Sequence, residues 1–526
     1  MTAPVLTPYR SAAPAGHDGF AQLLWAEWTK FRTVRGWMVG MIVAGLLTVG
    51  VGLLSHGECG SQIGPSAPVV TGGSACARPL GPGGEAVTDG FYFVHRWIGS
   101  DGSITARVTS MTGSYSPGGV STQDLKPGLQ PWSKAGIIIK ASATEGSAYA
   151  AMMVTGSHGV RMQWNYTGDA AGLDSAVTAA SPRWLRLTRT GDTITGYDSA
   201  DGTAWTRVGS VTLTGLPSTV PAGLFAASPD HSSATSQSIG GGSGSGGPSQ
   251  ASAVFDRIAL QGGWPARTWT GTAVGGPSGG PFPVLGYRQA GGRLAVSGSG
   301  DIAPVVPDTE GSVAGALIGA FAGLIAIVVV AAMFMTAEYR RGLIRVTLTA
   351  SPRRSRILAA KAIVVGSAAF AVALSAAVAS ALIEGPRARS RGIFVDPVPV
   401  LTEVRVVAGT AALLAVAAVL AVALGALMRR SAVAVTTVIA VIVLPYFFAV
   451  PLAVLPAGAA DWLLRVTPAA GFAIQQPYPA YPQVATSYLP GNGYYPLAPW
   501  AGFGVLCAWT GVALGLAMYL LRRRDA

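Results

Sequence analysis

The residues best suited to chemistry in this sequence are charged side chains in two short segments beside apolar runs. The first segment, FAQLLWAEWTKFRTVR at 20–35, carries Glu27, Lys30 and Arg32. A helix there would place Phe20, Leu23, Leu24, Trp28 and Phe31 on one face, with the three charged residues largely elsewhere. The second segment, at 338–361, carries Glu338, Arg340, Arg341, Arg345, Arg353 and Arg354. A guanidinium group binds a carboxylate through paired hydrogen bonds, so an arginine-bearing helix can dock in an acidic groove. The second segment fits such a contact with a partner protein. The first, a basic amphipathic segment with tryptophan just before an apolar run, predicts a helix that lies in the membrane interface.

Signatures of catalysis, metal binding and nucleotide binding are weak. The five histidines are scattered and the three cysteines form no CxxC pair, so we expect no metal. No GxxxxGK[ST] is present, and the GxGxxG match at 242–247 has no βαβ context. We therefore predict no catalytic residue and no cofactor in this chain. We keep a membrane or surface hydrolase only as a third functional hypothesis, behind the two that are given below.

The composition predicts a membrane protein. Half of the 526 residues are hydrophobic and only 11% are charged, with a mean hydropathy of +0.44. Soluble proteins carry about 25% charged residues, so a wholly soluble enzyme is excluded. Six apolar runs are long enough, or nearly so, for the about 20 residues that cross a bilayer. These runs are 37–54, 313–336, 362–383, 406–428, 432–455 and 500–521.

The distribution of the net charge of +12 predicts an orientation. The whole excess lies in four segments on one side of six alternating spans, and half of it lies in 338–361. The positive-inside rule therefore places both termini, including the segment 1–36, in the cytoplasm. The insert 55–311 and the segment 456–499 then lie outside. The charge is explained as a topology signal, and we expect no nucleic-acid partner.

The insert 55–311 predicts a separate all-β domain. Alternating segments such as WLRLTR at 184–189, with a turn at Gly191-Asp192, indicate an antiparallel sandwich or jelly roll over 90–260. We assign 262–311 to a membrane-proximal stalk and the glycine-rich run 238–250 to a flexible loop. The predicted fold class is a polytopic α-helical membrane protein of six transmembrane helices with an inserted all-β domain.

Two features of the insert bear on stability and ligand binding. Cys59 and Cys76 flank a short Gly/Pro-rich stretch, and a disulfide between them would contribute about 3 kcal/mol. Trp164, Trp184 and Trp205 are candidate ligand aromatics, although tryptophans on alternating strands more often pack in the core. A membrane-anchored receptor for glycan or cell wall is the alternative function.

Two family resemblances emerge from these residues. The segments WSKAGI at 132–137, WLRLTR at 184–189 and YDSADGTAW at 197–205 resemble the DUF1349-type, concanavalin A/laminin-G-like sandwich. The segment AEWTKFRTVR at 26–35 resembles the N-terminal elbow helix of ABC-2-type transporter permeases. The loop EYRRGLIRVTLTASPRRSR at 338–356, followed by Lys361, resembles the loop that docks on the ATPase in that family.

The second resemblance implies the permease subunit of an exporter in a bacterial plasma membrane. A separate ATPase subunit would bind ATP and Mg, and a second permease subunit, identical or not, would complete the pathway in the lipid bilayer. An amphipathic or apolar substrate would move outward. In the family, short re-entrant helices lie in the region corresponding to 456–499.

Overall fold

The computed structural model describes most of the chain. Its described residues are 19–54, 78–118, 125–174, 177–178, 180–237, 241–265, 267–275, 282–305, 313–340, 354–391, 393–449, 457–484, 488 and 493–523. In chain order they form two helices, a run of strands, and then a second group of helices.

The helices before and after the strands are apolar over most of their length. They are α1 (Phe20–Thr33), α2 (Arg35–Leu54), α3 (Val313–Ala316), α4 (Ala320–Arg340), α5 (Arg354–Ser390), α6 (Val400–Met428), α7 (Ser431–Ala449), α8 (Ala457–Val466) and α9 (Pro499–Arg523), with a 3₁₀ helix at Pro468–Gln475. Six of these, α2, α4, α5, α6, α7 and α9, are long and apolar enough to cross a membrane. The chain is therefore a multi-pass membrane protein.

The six helices follow the six apolar runs, but their ends differ. α5 covers 354–390, well beyond the predicted 362–383, because helical hydrogen bonding continues into the polar ends outside the apolar run. The predicted span 313–336 is divided by a turn at 317–319. Gly319 lies there, and a side chain on it would clash with the Thr48 carbonyl oxygen of α2.

The helix bundle is centred on α4 and α6. In each of them, 61% of the most apolar stretch is buried, against 22% in α2 and α9. α6 packs against α4, α5 and α9, and α2 packs against α4 and α5. The 3₁₀ helix is buried along its whole length against α9.

The strands between α2 and α3 pair antiparallel. They are β1 (Val87–Asp89), β2 (Phe91–Ile98), β3 (Asp101–Tyr115), β4 (Lys126–Pro127), β5 (Lys134–Lys140), β6 (Tyr149–Thr155), β7 (Val160–Trp164), β8 (Gly168–Ala171), β9 (Arg183–Thr190), β10 (Thr193–Ser199), β11 (Thr206–Thr212), β12 (Val220–Ala227), β13 (His231–Gln237), β14 (Gly241–Gly247), β15 (Ser249–Gly262), β16 (Thr270–Val274), β17 (Gly286–Ala290), β18 (Arg293–Gly298) and β19 (Ile302–Pro304). One sheet has the order β16-β2-β12-β5-β6-β7-β8. The other has the order β11-β10-β9-β3-β15-β18-β17, with β4 beside β3.

The two sheets enclose one apolar core, as the alternation of apolar and polar residues along the strands requires. On β9, Leu185 and Leu187 point into the core, and Trp184 and Arg186 lie on the outer face. On β5 the alternate residues Ile137 and Ile139 enter the same core. The antiparallel sandwich is thus built from the period-two patterns of the sequence.

The structure divides the β region differently from the sequence analysis. The segment 262–311 was assigned to a stalk, but β16 pairs with β2 in one sheet, and β18 pairs with β15 in the other. These partners are distant in sequence, so no local pattern reveals them. The glycine-rich run also differs from a flexible loop, because β14 pairs with β13 along its length. The specific resemblance to DUF1349-type domains stays a prediction.

Candidate coupling site

The α1 helix carries an acid on its buried face. Glu27 is fully buried, as is Phe31 one turn later, and Leu24 and Trp28 pack on the same core. The sequence analysis set Glu27 largely apart from the apolar face. The spacing 24, 27, 28 and 31 is that of a single helical stripe, and the structure corrects the earlier assignment.

Lys361 of α5 is the partner that makes this burial possible. Its ammonium group lies 2.6 Å from Glu27 Oε2 and 2.7 Å from Glu338 Oε1, and its side chain is fully buried. Lys30 closes the group, 2.9 Å from Glu27 Oε1 and 3.3 Å from Glu338 Oε1. Two carboxylates and two ammonium groups thus form a neutral cluster, which we call the four-charge cluster.

Apolar and aromatic groups surround the four-charge cluster. The Lys361 ammonium group lies 4.7 Å from the centre of the Phe334 ring. The Phe334 ring in turn makes T-shaped contacts with the rings of Phe31 and Trp37. Low dielectric strengthens each ion pair there, but it also makes an unpaired charge very costly.

The ends of the cluster respond differently to solvent. Lys30 keeps 45% of its side chain exposed. Burial lowers its pKa, but the hydrogen bond and charge of Glu27, together with Glu338, outweigh burial and raise the pKa overall. Among the described residues, the second carboxylate oxygen of Glu338 has no hydrogen-bond partner. The cluster is therefore a closed structural unit with one exposed edge at Lys30.

The arginine candidates do not enter the cluster. Arg32 and Arg340 are exposed, at the ends of α1 and α4. Arg354 is half-buried and donates a 2.9 Å hydrogen bond to the carbonyl of Leu521, near the end of α9. Arg341, Arg345 and Arg353 lie outside the described residues, as do Cys59 and Cys76. The described candidates gather at one end of the bundle, with two arginines facing outward.

The sandwich contacts the opposite end of the bundle. Gln483, beyond the 3₁₀ helix, donates hydrogen bonds of 3.2 Å to the carbonyls of Tyr166 and Thr167. A cavity of about 510 Å³ lies beside this contact, lined by Glu85, Asp396 and Tyr478 among others. The coupling candidates and the sandwich thus occupy opposite ends of the helices.

The three candidate tryptophans do not form one site. Trp164 packs partly against the sandwich core. Trp184 and Trp205 are half-buried, with arginine side chains over their rings. Neither of these two rings is an uncovered platform for a sugar.

Sequence reasoning missed Lys361 as a site residue. It was noted only as the last basic residue of a loop. A signal existed: a lysine one position before a predicted span, together with an acid in the apolar stripe of α1, implies a buried pair. The partners are 334 residues apart, however, and spacing alone does not join them.

The sequence matches a family of known proteins over most of its length. Residues 139–526 match the family model described as "ABC-2 family transporter protein". A search of curated protein sequences finds no match.

Solved structures resemble the chain only weakly. The GH43 BlXynB protein from Bacillus licheniformis is 15% identical, with 24% of each chain covered and a TM-score of 0.18. A functionally unknown protein from Saccharomyces cerevisiae is 16% identical, covering 36% of this chain and 76% of that one, with a TM-score of 0.19. Scytalido-glutamic peptidase is 12% identical, covering 40% and 98%, with a TM-score of 0.24. These scores carry no argument on fold or activity.

Proposed function

The chain belongs to the ABC-2 family of transporter proteins, and from this premise we propose that it is the membrane-spanning permease subunit of an ATP-driven exporter. ATP and Mg would be bound by a separate ATPase subunit. A second permease subunit, identical or not, would complete the pathway. The substrate would be amphipathic or apolar and would move outward.

The observation that carries this proposal is the four-charge cluster beside exposed arginines. It ties α1 to α4 and α5 through Glu27, Glu338 and Lys361. Arg32 and Arg340 are exposed at the same end of the bundle. In the proposal, these arginines meet carboxylates of the ATPase and the buried acids transmit its movement. The exposed arginines make the contact, and the buried acids keep the three helices together.

The proposed orientation puts this end in the cytoplasm of a bacterial cell. Two observations support it. The end of α9 lies beside the start of α5 through the Arg354–Leu521 hydrogen bond, and Lys361 near that start pairs with Glu27 of α1, so α1 and the end of α9 share one end of the bundle. The sandwich contacts the other end through Gln483 and would be extracytoplasmic. The plasma membrane would hold the six spans.

The proposal is tested by co-purification of the chain with its ATPase. Arg340→Glu should abolish recovery of the ATPase, because a carboxylate would replace the guanidinium that faces the acidic groove. Transport should be lost with it, while the amount of permease in the membrane is unchanged.

Arg389→Glu is the matched control. Arg389 is also exposed and lies on α5, close to its other end. A helix of 37 residues is about 55 Å long, so Arg389 lies far from the proposed interface. Normal ATPase recovery with Arg340→Glu, or equal loss with both variants, would contradict the proposed interface.

A further inference from the structure

An arginine-rich surface covers part of the sheet that contains β9. Its members are Arg107, Arg186, Arg257, Trp184 and Trp205, which we call the arginine–tryptophan face. Leu185 and Leu187 point from the same strand into the core, so the face is the outer side of this sheet.

The tryptophans hold the arginines in place. The Arg186 guanidinium lies 3.8 Å from the centre of the Trp205 ring. Arg107 and Arg257 lie over Trp184, at 5.5 and 5.8 Å. A guanidinium stacked on an indole ring keeps its N–H groups along its edge, where they remain available to an anion. The arginines, and not the rings, are therefore the groups offered to a ligand.

A backbone irregularity directs Arg257 to this face. Phe255 points into the core and Asp256 outward, so a regular strand would turn Arg257 inward. The register of β15 against β3 shifts between Asp256 and Ala259, and Arg257 has φ +48°. Such bulges re-aim side chains, and a positive φ is costly outside glycine. The strand is distorted at the position that brings a second guanidinium over Trp184.

Positive charge exceeds negative charge on this face. Asp256 accepts two hydrogen bonds from Arg107, of 2.7 and 2.6 Å. The pKa of Asp256 is lowered, first by the Arg107 hydrogen bond and further by the charges of Arg257 and Arg293. Among the described residues, no carboxylate forms an ion pair with Arg186 or Arg257. The guanidinium groups of Arg186 and Arg257 can therefore each accept an anionic group.

The opposite side of the sandwich is already occupied. The outer face of the β5 sheet is covered by the chain itself, with Phe91, Tyr149 and Phe225 in a second apolar cluster. Buried pairs such as Lys140–Asp89, 2.7 Å apart, complete that cover. The arginine–tryptophan face has no comparable cover among the described residues.

We propose that the arginine–tryptophan face binds an anionic polysaccharide, a polymer with repeated carboxylate or phosphodiester groups. Charge complementarity carries this choice, because the ordered guanidinium groups of Arg186 and Arg257 match a polymer that carries spaced anions. Single-stranded nucleic acid fits less well, since it needs rings on which bases stack, and these rings are covered. Insertion into a bilayer also fits less well, because the exposed large apolar side chains of the described sandwich residues lie outside β3, β9 and β10.

This inference takes the extracytoplasmic location of the sandwich from the proposed function, but binding itself does not depend on transport. The test uses the full chain in zwitterionic nanodiscs, with labelled polygalacturonate, phosphomannan and neutral dextran. We expect binding to at least one polyanion, weakened by salt, and no binding to dextran. Binding to only one polyanion identifies the anionic group.

Variants assign that binding to the face. Arg186→Gln and Arg257→Gln should each weaken it about three- to tenfold, the loss of one hydrogen bond at a solvent-exposed surface. Trp184→Leu should weaken it about two- to fivefold without a change of charge, because two guanidinium groups lose their stacking partner. Arg267→Gln, an exposed arginine outside the face, should have no effect.

Three results would overturn the proposal: no binding to either polyanion, equal loss with Arg267→Gln, or tighter binding of single-stranded DNA than of both polymers. Transport measured on the same variants separates the two proposals. Polymer binding with no ATPase recovery would count against the proposed function alone.

Discussion

At the scale of single residues, Lys361 holds together the end of the bundle at which α1 meets α4 and α5. Its ammonium group pairs with two buried carboxylates, Glu27 and Glu338, and Lys30 supplies the second positive charge that balances them. Breaking a buried pair by removing one partner typically costs about 3–5 kcal/mol, because a bare charge is left behind.

Lys361→Met should therefore lower the thermal unfolding temperature of the purified permease sharply. Adding Glu338→Gln to Lys361→Met should restore part of the loss, since one uncompensated charge disappears. Lys126→Met makes the same change at an exposed lysine of β4 and should have little effect. Thermal unfolding in detergent measures all three, and equal stability of Lys361→Met and Lys126→Met would refute the cluster's structural role.

The same residues mark the limit of sequence reasoning about the site. The charged segments 20–35 and 338–361 were found from composition and pattern. The family that they resemble is confirmed by the match over 139–526, which contains the second segment, while the resemblance of 26–35 to an elbow helix stays a prediction. The distinction between buried acids and exposed arginines was not found. It depends on which side of α1 meets α5, and that contact joins parts of the chain more than 300 residues apart.

At the scale of elements, the close packing of α9 on the 3₁₀ helix depends on glycine. A side chain at Gly502 would clash with the Ala470 carbonyl oxygen. Backbone cannot move aside as a flexible side chain can, so the two elements would have to separate. Gly502→Ala should therefore lower the unfolding temperature of the purified chain.

Gly511→Ala is the control on the same helix. A side chain at Gly511 meets nothing within 4 Å, and alanine favours a helix over glycine by up to about 1 kcal/mol. We expect this variant to be as stable as the wild type or slightly more stable. Loss of stability by both variants alike would show that the close approach at Gly502 is not the cause.

Element prediction succeeded where periodicity is local. The alternation of 184–189 lies within β9, and each apolar run lies within or overlaps a helix. It failed where an element is defined by a distant partner. The pairing of β16 with β2 joins residues about 180 positions apart. The position of Arg257 over Trp184 depends on a bulge in β15 that no residue pattern predicts.

At the scale of the whole molecule, charge and contact suggest the same orientation. The described helix ends next to the positively charged segments, at Arg340 and Arg354, lie at the end of the bundle that holds the four-charge cluster, and the sandwich contacts the other end. The chain also has surface that can face lipid, because most of the most apolar stretch of α2 and of α9 is not covered by the rest of the chain. The second permease subunit of our proposal would use part of this surface.

Cysteine labelling in intact cells tests that orientation. In a chain whose three native cysteines are replaced by alanine, Thr203→Cys on the exposed side of the sandwich should react with a membrane-impermeant maleimide. Arg340→Cys, exposed at the other end, should react only after the membrane is permeabilised, because the positive-inside rule puts the segment after α4 in the cytoplasm. Both cysteines should react equally in detergent, which controls for local reactivity. Labelling of Arg340→Cys but not Thr203→Cys in intact cells would reverse the orientation and remove the ATPase from the four-charge cluster.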